Sequence, residues 1–136
     1  MELDKSFAVA FAGMSAESQR LKVIAENLAN ADSTAQSPDQ DPYKRKIVNF
    51  EDVFDRQLGV DKVKVSGITT IQTGFGRRYE PGHPAADASG YVKTPNVNSI
   101  TELMDMREAQ RSYEANLNVI NAAKAMLSRT LDVLQG

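Results

Sequence analysis

The residues of this chain that could do chemistry are few, and their spacing leaves them isolated. A single histidine, His83, sits between Gly82 and Pro84, and the 136 residues contain no cysteine. A lone histidine in a turn is ordinarily solvated or locally packed, and a zinc site would need further His or Cys ligands. Asp39 and Asp41 stand together in DQDPY. A calcium loop needs a glycine at its sixth position and a distant bidentate glutamate, and this stretch has neither. The GFG run at Gly74 to Gly76 continues as Arg77, Arg78 and Tyr79, without the third glycine or the opening helix of a phosphate-binding turn. No other constellation of nucleophile, base and oxyanion donor is spelled out. The expectation is therefore a protein that is not an enzyme, with no metal and no cofactor.

Bulk properties exclude more. The length suits one domain, since roughly 100 to 200 residues per domain is usual, and 41% of residues are hydrophobic against 25% charged. Net charge is only −2, from 16 basic and 18 acidic residues that are interspersed. Such a chain has no field to gather a polyanion, so nucleic acid is not an expected partner. The longest unbroken run without a polar residue, FAVAFAGM from Phe7 to Met14, is far short of the ~20 residues that cross a bilayer. Direct membrane insertion is not expected. Glu2 and Asp4 occupy the place of a basic n-region, so the N-terminus does not read as a cleavable signal peptide. The lack of cysteine suits a chain indifferent to redox compartment.

Two helices must carry the architecture. From Leu3 to Asn30, Phe7, Phe11, Met14, Ser18, Leu21, Ala25 and Leu28 recur at alternating spacings of four and three, which is a heptad seam. Ala8, Ala12, Ala16, Val23 and Ile24 put small or apolar residues outside that seam. Gly13 lies inside the helix, where glycine costs on the order of 1 kcal/mol relative to alanine. It marks either a close approach by another backbone or a tolerated defect. The second helix begins near Ser99, whose spacing to Glu102 predicts a capping box. From there Leu103, Met106, Gln110, Tyr113, Leu117, Ile120, Lys124, Leu127, Leu131 and Leu134 keep the same alternation. At ~1.5 Å per residue it is a rod of roughly 50 Å, too long to be buried by its own chain. Asn116, Asn118 and Asn121 crowd one stretch of it; they are either solvent-facing or bonded to adjacent subunits.

Between the helices lie a polar joint and a small β unit. Residues 31–42 hold almost nothing a core could use. Residues 43–97 hold short apolar bursts at Lys46 to Phe50, Val60 to Thr73 and Gly90 to Thr94, with a turn at Glu80 to Pro84. Gly67 breaks the alternation of Val63 and Val65, which predicts a bulge at Ser66-Gly67. The expected fold class is α+β, mainly α. Residues 1–30 with 98–136 form an antiparallel coiled coil as the assembly domain, 31–42 the joint, and 43–97 the β-rich unit.

Taken together, GMSAESQRLKVIAENLANADST, PYKRKIVNF and YEPGHPAADASGYVKTPNVNSITELMDMREAQRSYEANLNVINAAKAML resemble the bacterial flagellar rod and hook proteins. NLANADST is similar to the signature those proteins share, which carries over to Asn27, Asn30 and Thr34. NVN and RSYEAN recur in them too, which adds Asn96, Asn98, Arg111, Tyr113 and Asn116. The short chain, with PGHPAADASGYVKTPNVN directly before the last helix and no large insertion, resembles the proximal-rod members rather than the hook or distal-rod ones.

The resemblance implies a structural subunit of the basal-body rod, the drive shaft that crosses the periplasm around the export channel. It implies export through the flagellar type III apparatus without a cleavable signal. Implied partners are copies of itself, other rod proteins, the rod adaptor FliE and the membrane-embedded MS ring. In that reading Phe7, Phe11, Met14, Leu21 and Leu28 pack on Tyr113, Leu117, Ile120, Leu127, Leu131 and Leu134, Leu103 and Met106 are further assembly or helix-packing residues, and Ala8, Ala12 and Ala16 face adjacent subunits. An intracellular coiled-coil adaptor or chaperone-like binding module is the alternative that the seams alone would also allow.

Overall fold

A computed structural model describes residues 2–136. Two helices and two small antiparallel sheets make an α+β fold: α1 (Glu2–Ala29), β1 (Lys46–Asp55), β2 (Val60–Thr70), β3 (Gly76–Tyr79), β4 (Tyr91–Thr94) and α2 (Ser99–Gln135). β1 pairs with β2 as one hairpin and β3 with β4 as another. Among the described residues no helix is long and apolar enough to cross a membrane.

The helices run antiparallel. Near one end Asn27 bonds Glu102, midway Arg20 pairs with Glu108, and further along Gly13 lies against Asn116. α2 is 37 residues long and α1 is 28, and Glu2 shares a crevice with Met126, so the last turns of α2, with Leu131 and Leu134, lie past the level of Glu2. The heart of the packing is made of small and β-branched residues: Ala10, Ala16, Val23 and Ile24 on α1, and Ala109, Ile120 and Ala123 on α2 are buried. With 3.6 residues per turn, α1 carries three stripes. Ala10, Gly13, Arg20 and Asn27 face α2. Ala12, Ala16 and Gln19 line a crevice with Val53, Val63 and Val65 of the hairpin. Phe7, Phe11, Met14, Leu21 and Leu28 form the third stripe, roughly 100° around the helix from the one that meets α2.

Ala12 and Ala16 therefore face the chain's own hairpin, and Ala16 is buried there, which for these two residues replaces the expectation that they meet adjacent subunits. Gly13 is explained by a close approach, though by a side chain: a Cβ built on it would stand 2.6 Å from Asn116 Nδ2. Asn116 turns its amide back to the Ser112 carbonyl at 3.1 Å, while Asn118 and Asn121 are exposed.

The hairpin carries its bulge where the broken alternation put it. Asn49 pairs with Gly67 and Phe50 with Val65, so Ser66 is the extra residue, and its hydroxyl donates to the Asn49 carbonyl. β1 is longer than expected, running through Glu51, Asp52 and Asp55. GRRY, which was not among the expected strand segments, forms β3. The start of α2 also differs. Asn98, not Ser99, is the N-cap, its Oδ1 accepting from the backbone N–H of Ile100 and Thr101. No capping box forms, because the Glu102 side chain turns inward to Arg45 and Asn27.

Candidate functional site: a polar hub beside an exposed apolar stripe

The fold sets Asn27 and Glu102 on the facing stripes of the two helices, one turn from the end where the polar joint leaves α1 and the β unit returns to α2. Each is 1% exposed. Burying a carboxylate is costly unless it is paired and hydrogen-bonded. Glu102 is both: the Arg45 guanidinium Nε–H donates to it, Asn27 Nδ2 donates at 3.2 Å, and a second arm of Arg45 reaches Asp105 at 3.3 Å. Asn27 spends all its remaining capacity on the start of β1. Its Nδ2 donates to the Lys46 carbonyl at 2.8 Å, and its Oδ1 accepts from the Lys46 N–H and the Tyr43 hydroxyl at 3.1 and 2.7 Å. Burial, then the nearby Glu26 and Glu102 carboxylates, raises the Tyr43 pKa, so the phenol remains a donor. One asparagine thus ties α1, α2 and the first strand together.

Asn96, Asn30 and Thr34, also expected from the resemblance, make joints as well. Asn96 accepts from the Arg45 N–H at 2.7 Å and donates to the Ile71 and Thr73 carbonyls, both at 2.9 Å. Asn30 donates to the Glu26 carbonyl at the end of α1. Thr34 meets His83 Nε2 at 3.0 Å, and His83 Nδ1 accepts from the Ala85 N–H, which fixes the Nε2–H tautomer as the donor to Thr34. The polar joint is fastened further by burial of Pro42 and by Asp41, which pairs with Lys44 and Lys93. Arg111 is exposed and Tyr113 half-buried.

Sequence reasoning missed Arg45 and Tyr43, and cast Glu102 as a cap. The available signal was an acid on the α2 stripe that Ala109, Asn116 and Ala123 continue at seven-residue steps beside the seam; buried there, it requires a cation from elsewhere in the chain. Arg20 shows the same logic at the middle of the helix pair, standing 3.6 Å from both Glu17 and Glu108. Glu17 remains underserved. Its Oε2 is buried without a hydrogen bond, and burial raises its pKa, an effect that Arg20 opposes and Glu108 reinforces.

The predicted packing residues divide. Ile120 is buried, and Phe7, Met14, Leu21, Leu28, Met106 and Tyr113 are half-buried. Phe11 is 56% exposed, Leu103 51% and Leu117 39%, and Leu127, Leu131 and Leu134 are exposed as well. Phe7 and Phe11 stack on each other at 6.2 Å. The geometry of antiparallel helices sets the free stripe of α1 and the flank of α2 bearing Met106, Tyr113 and Leu117 on the same side of the pair, opposite the hairpin. Among the described residues no group of three or more His, Cys, Asp or Glu is gathered as a metal site. What the surface offers is a broad apolar face, the equipment of a protein that binds other proteins.

Comparison with known proteins agrees with that equipment. Residues 7–35 match the model of the flagella basal body rod protein family, and residues 88–133 match that of the flagellar basal body rod FlgEFG protein C-terminal family. The chain is 44% identical to the flagellar basal-body rod protein FlgC of Agrobacterium fabrum, covering 98% of this chain and 96% of that protein. It is 43% identical to FlgC of Escherichia coli O6:H1, covering 99% of this chain and all of that one. FlgC of Bacillus subtilis is 35% identical, with 94% and 95% covered. With this identity over nearly its full length, the chain belongs to the FlgC family of flagellar basal-body rod proteins.

Proposed function

We propose that this chain is a structural subunit of the flagellar basal-body rod, placed in its proximal part, and that it assembles with other rod proteins through the apolar side of its helix pair. The observation that carries the reading is identity with FlgC proteins over nearly the whole of both chains. The exposed stripe of Phe11, Leu103, Leu117, Leu127 and Leu131 supports it, because a monomer gains nothing from such a surface. The relatives do not favour an intracellular adaptor.

Several finer points belong to the same proposal. Residues 1–30 and 98–136 act as one assembly unit that winds into a coiled coil within the rod, and Phe7, Phe11, Met14, Leu21, Leu28, Leu103, Met106, Tyr113, Leu117, Ile120, Leu127, Leu131 and Leu134 are its packing residues. Residues 31–42 tether that unit to the β unit of 43–97. The subunit lies in the periplasm around the export channel, arrives through the type III apparatus without a cleaved signal, and meets FliE and the MS ring as well as rod proteins. Close-packed contacts of this kind resist shear, which is what passing motor torque requires. Fractionating cells and asking whether the chain sediments with basal bodies tests the reading. Co-sedimentation is expected, and a stable cytoplasmic dimer or trimer would favour the adaptor instead.

A further inference from the structure

The polar joint is fixed to the rest of the chain at few points. At its start Asn30 bonds back to α1, and at its far end Pro42 is buried while Asp41 pairs with Lys44 and Lys93. Between these anchors one bond to another element holds it, from His83 Nε2–H to Thr34 Oγ1 at 3.0 Å. Among the described residues, the only other hydrogen bond made by residues 34–40 is local, from the Gln40 N–H to the Ser37 carbonyl.

His83 is itself seated by the turn that follows β3. Its N–H donates to the Glu80 carbonyl at 3.1 Å, and its carbonyl accepts from the Ala86 N–H at 3.0 Å. Pro84 has no N–H to give, so the next donor is that of buried Ala85, which reaches His83 Nδ1 at 2.9 Å. The ring therefore accepts on one nitrogen and donates on the other, which only a neutral imidazole can do. A second proton would place an N–H on Nδ1 facing the Ala85 N–H across the same 2.9 Å. Two donors cannot share that contact, and a buried amide left without an acceptor is costly. The ring must then leave its seat, and Nε2 leaves Thr34 with it. Imidazole is the side chain that ordinarily takes up this proton between about pH 5 and 8.

The charged groups on the two elements that meet at the ring are otherwise engaged or apart from it. In the turn, Glu80 pairs with Arg78, and Asp87 accepts from the Ser89 and Tyr91 N–H groups and pairs with Arg77. The joint contributes Asp32, Asp39 and Asp41. Among the described residues none of these acids makes an ion pair with His83.

We infer that the Thr34–His83 bond is an acid-released latch: neutral His83 clasps the polar joint to the turn between β3 and β4, and protonation of the ring frees residues 34–40 while both ends of the joint stay anchored. The latch is closed above the titration of the ring and is lost as pH falls through it. It goes beyond the rod reading and stands or falls independently of it. Its effect is on the connection between α1 and the β unit, which loses its middle fixing in acid.

The absence of cysteine lets a single spin label report on the latch in the purified chain. Gln36→Cys carries the label on the exposed joint, and Asn118→Cys carries it on an exposed part of α2 as a control. Lowering the pH from about 8 to about 5.5, across the imidazole range, should raise the mobility of the Gln36 label several-fold in a one-proton step and leave the Asn118 label unchanged. Thr34→Val keeps the ring and removes its partner, so the Gln36 label should be mobile at both pH values. His83→Asn should give the same flat, mobile response, because its Oδ1 can accept from the Ala85 N–H as in an Asx turn but does not titrate. The latch would be overturned by equal mobility of the Gln36 label at both pH values in the parent, by a label held fast in Thr34→Val, or by a step that survives in His83→Asn. A midpoint near pH ~4, where carboxyl groups ordinarily titrate, or an equal response at Asn118 would overturn it as well.

Discussion

The hub around Asn27 and the stripe around Phe11 reverse the usual arrangement of a soluble domain. At the hub, charged and polar groups lie at 1% exposure with their hydrogen bonds made inside the chain. On the stripe, large apolar side chains meet water, Phe11 and Leu103 with more than half of their surface. The contrast separates two jobs. Polar signature residues hold the monomer's elements at fixed angles, and the apolar ones are left for partners. A substitution at the hub should therefore act through folding, whereas one on the stripe should act through assembly and leave folding alone.

The largest effect is expected from Arg45→Ala, which strands Glu102 as a buried carboxylate. Breaking such a pair costs about 3–5 kcal/mol, measurable by chemical denaturation of the purified chain. Replacing Arg45 and Glu102 together by Met and Leu should cost clearly less than the single change. An equal or larger loss in the double variant would show that the ion pair itself, rather than the stranded charge, matters.

Next is Gly13→Ala. The new methyl meets the Asn116 amide at 2.6 Å, and overpacking of this kind costs about 1–3 kcal/mol. Asn116→Ala in the same chain should recover most of that loss. If Gly13→Ala raised stability, as alanine does in an unobstructed helix, the close approach would be refuted.

The smallest effect concerns Glu17. Burial holds its folded-state pKa above the ordinary carboxylate value. Its contribution is therefore most favourable below the unfolded pKa and is lost as pH rises through the folded one. Glu17→Gln should be slightly more stable than the parent at pH 7, by roughly 0.5 kcal/mol, and the gap should close on acidification. A gap that widened at low pH would reverse the sign.

The difference between the two regions also explains what could be read from sequence. Both helices, the bulge at Ser66 and the exposed stripe residues follow from periodicity, which reports side-chain size and spacing. Periodicity does not say which of several stripes pairs first. The helices meet through Ala10, Gly13, Asn27 and Glu102, which score as weak or polar, so the larger apolar seam drew the assignment. The second half of β1 was hidden because Glu51, Asp52 and Asp55 interrupt its apolar pattern on a hairpin covered on only part of its surface. The hub itself joins residues up to 75 positions apart, and no local pattern announces a contact of that range.

Leu117→Asp isolates the central claim, because Leu117 is 39% exposed and lies on the stripe away from the hub. Its thermal stability as a purified chain and its incorporation into basal bodies, measured on the same variant, give the decisive pair of readings. The account predicts a melting temperature close to the parent's together with loss of incorporation. A variant that unfolds, or one that enters basal bodies as the parent does, would contradict it.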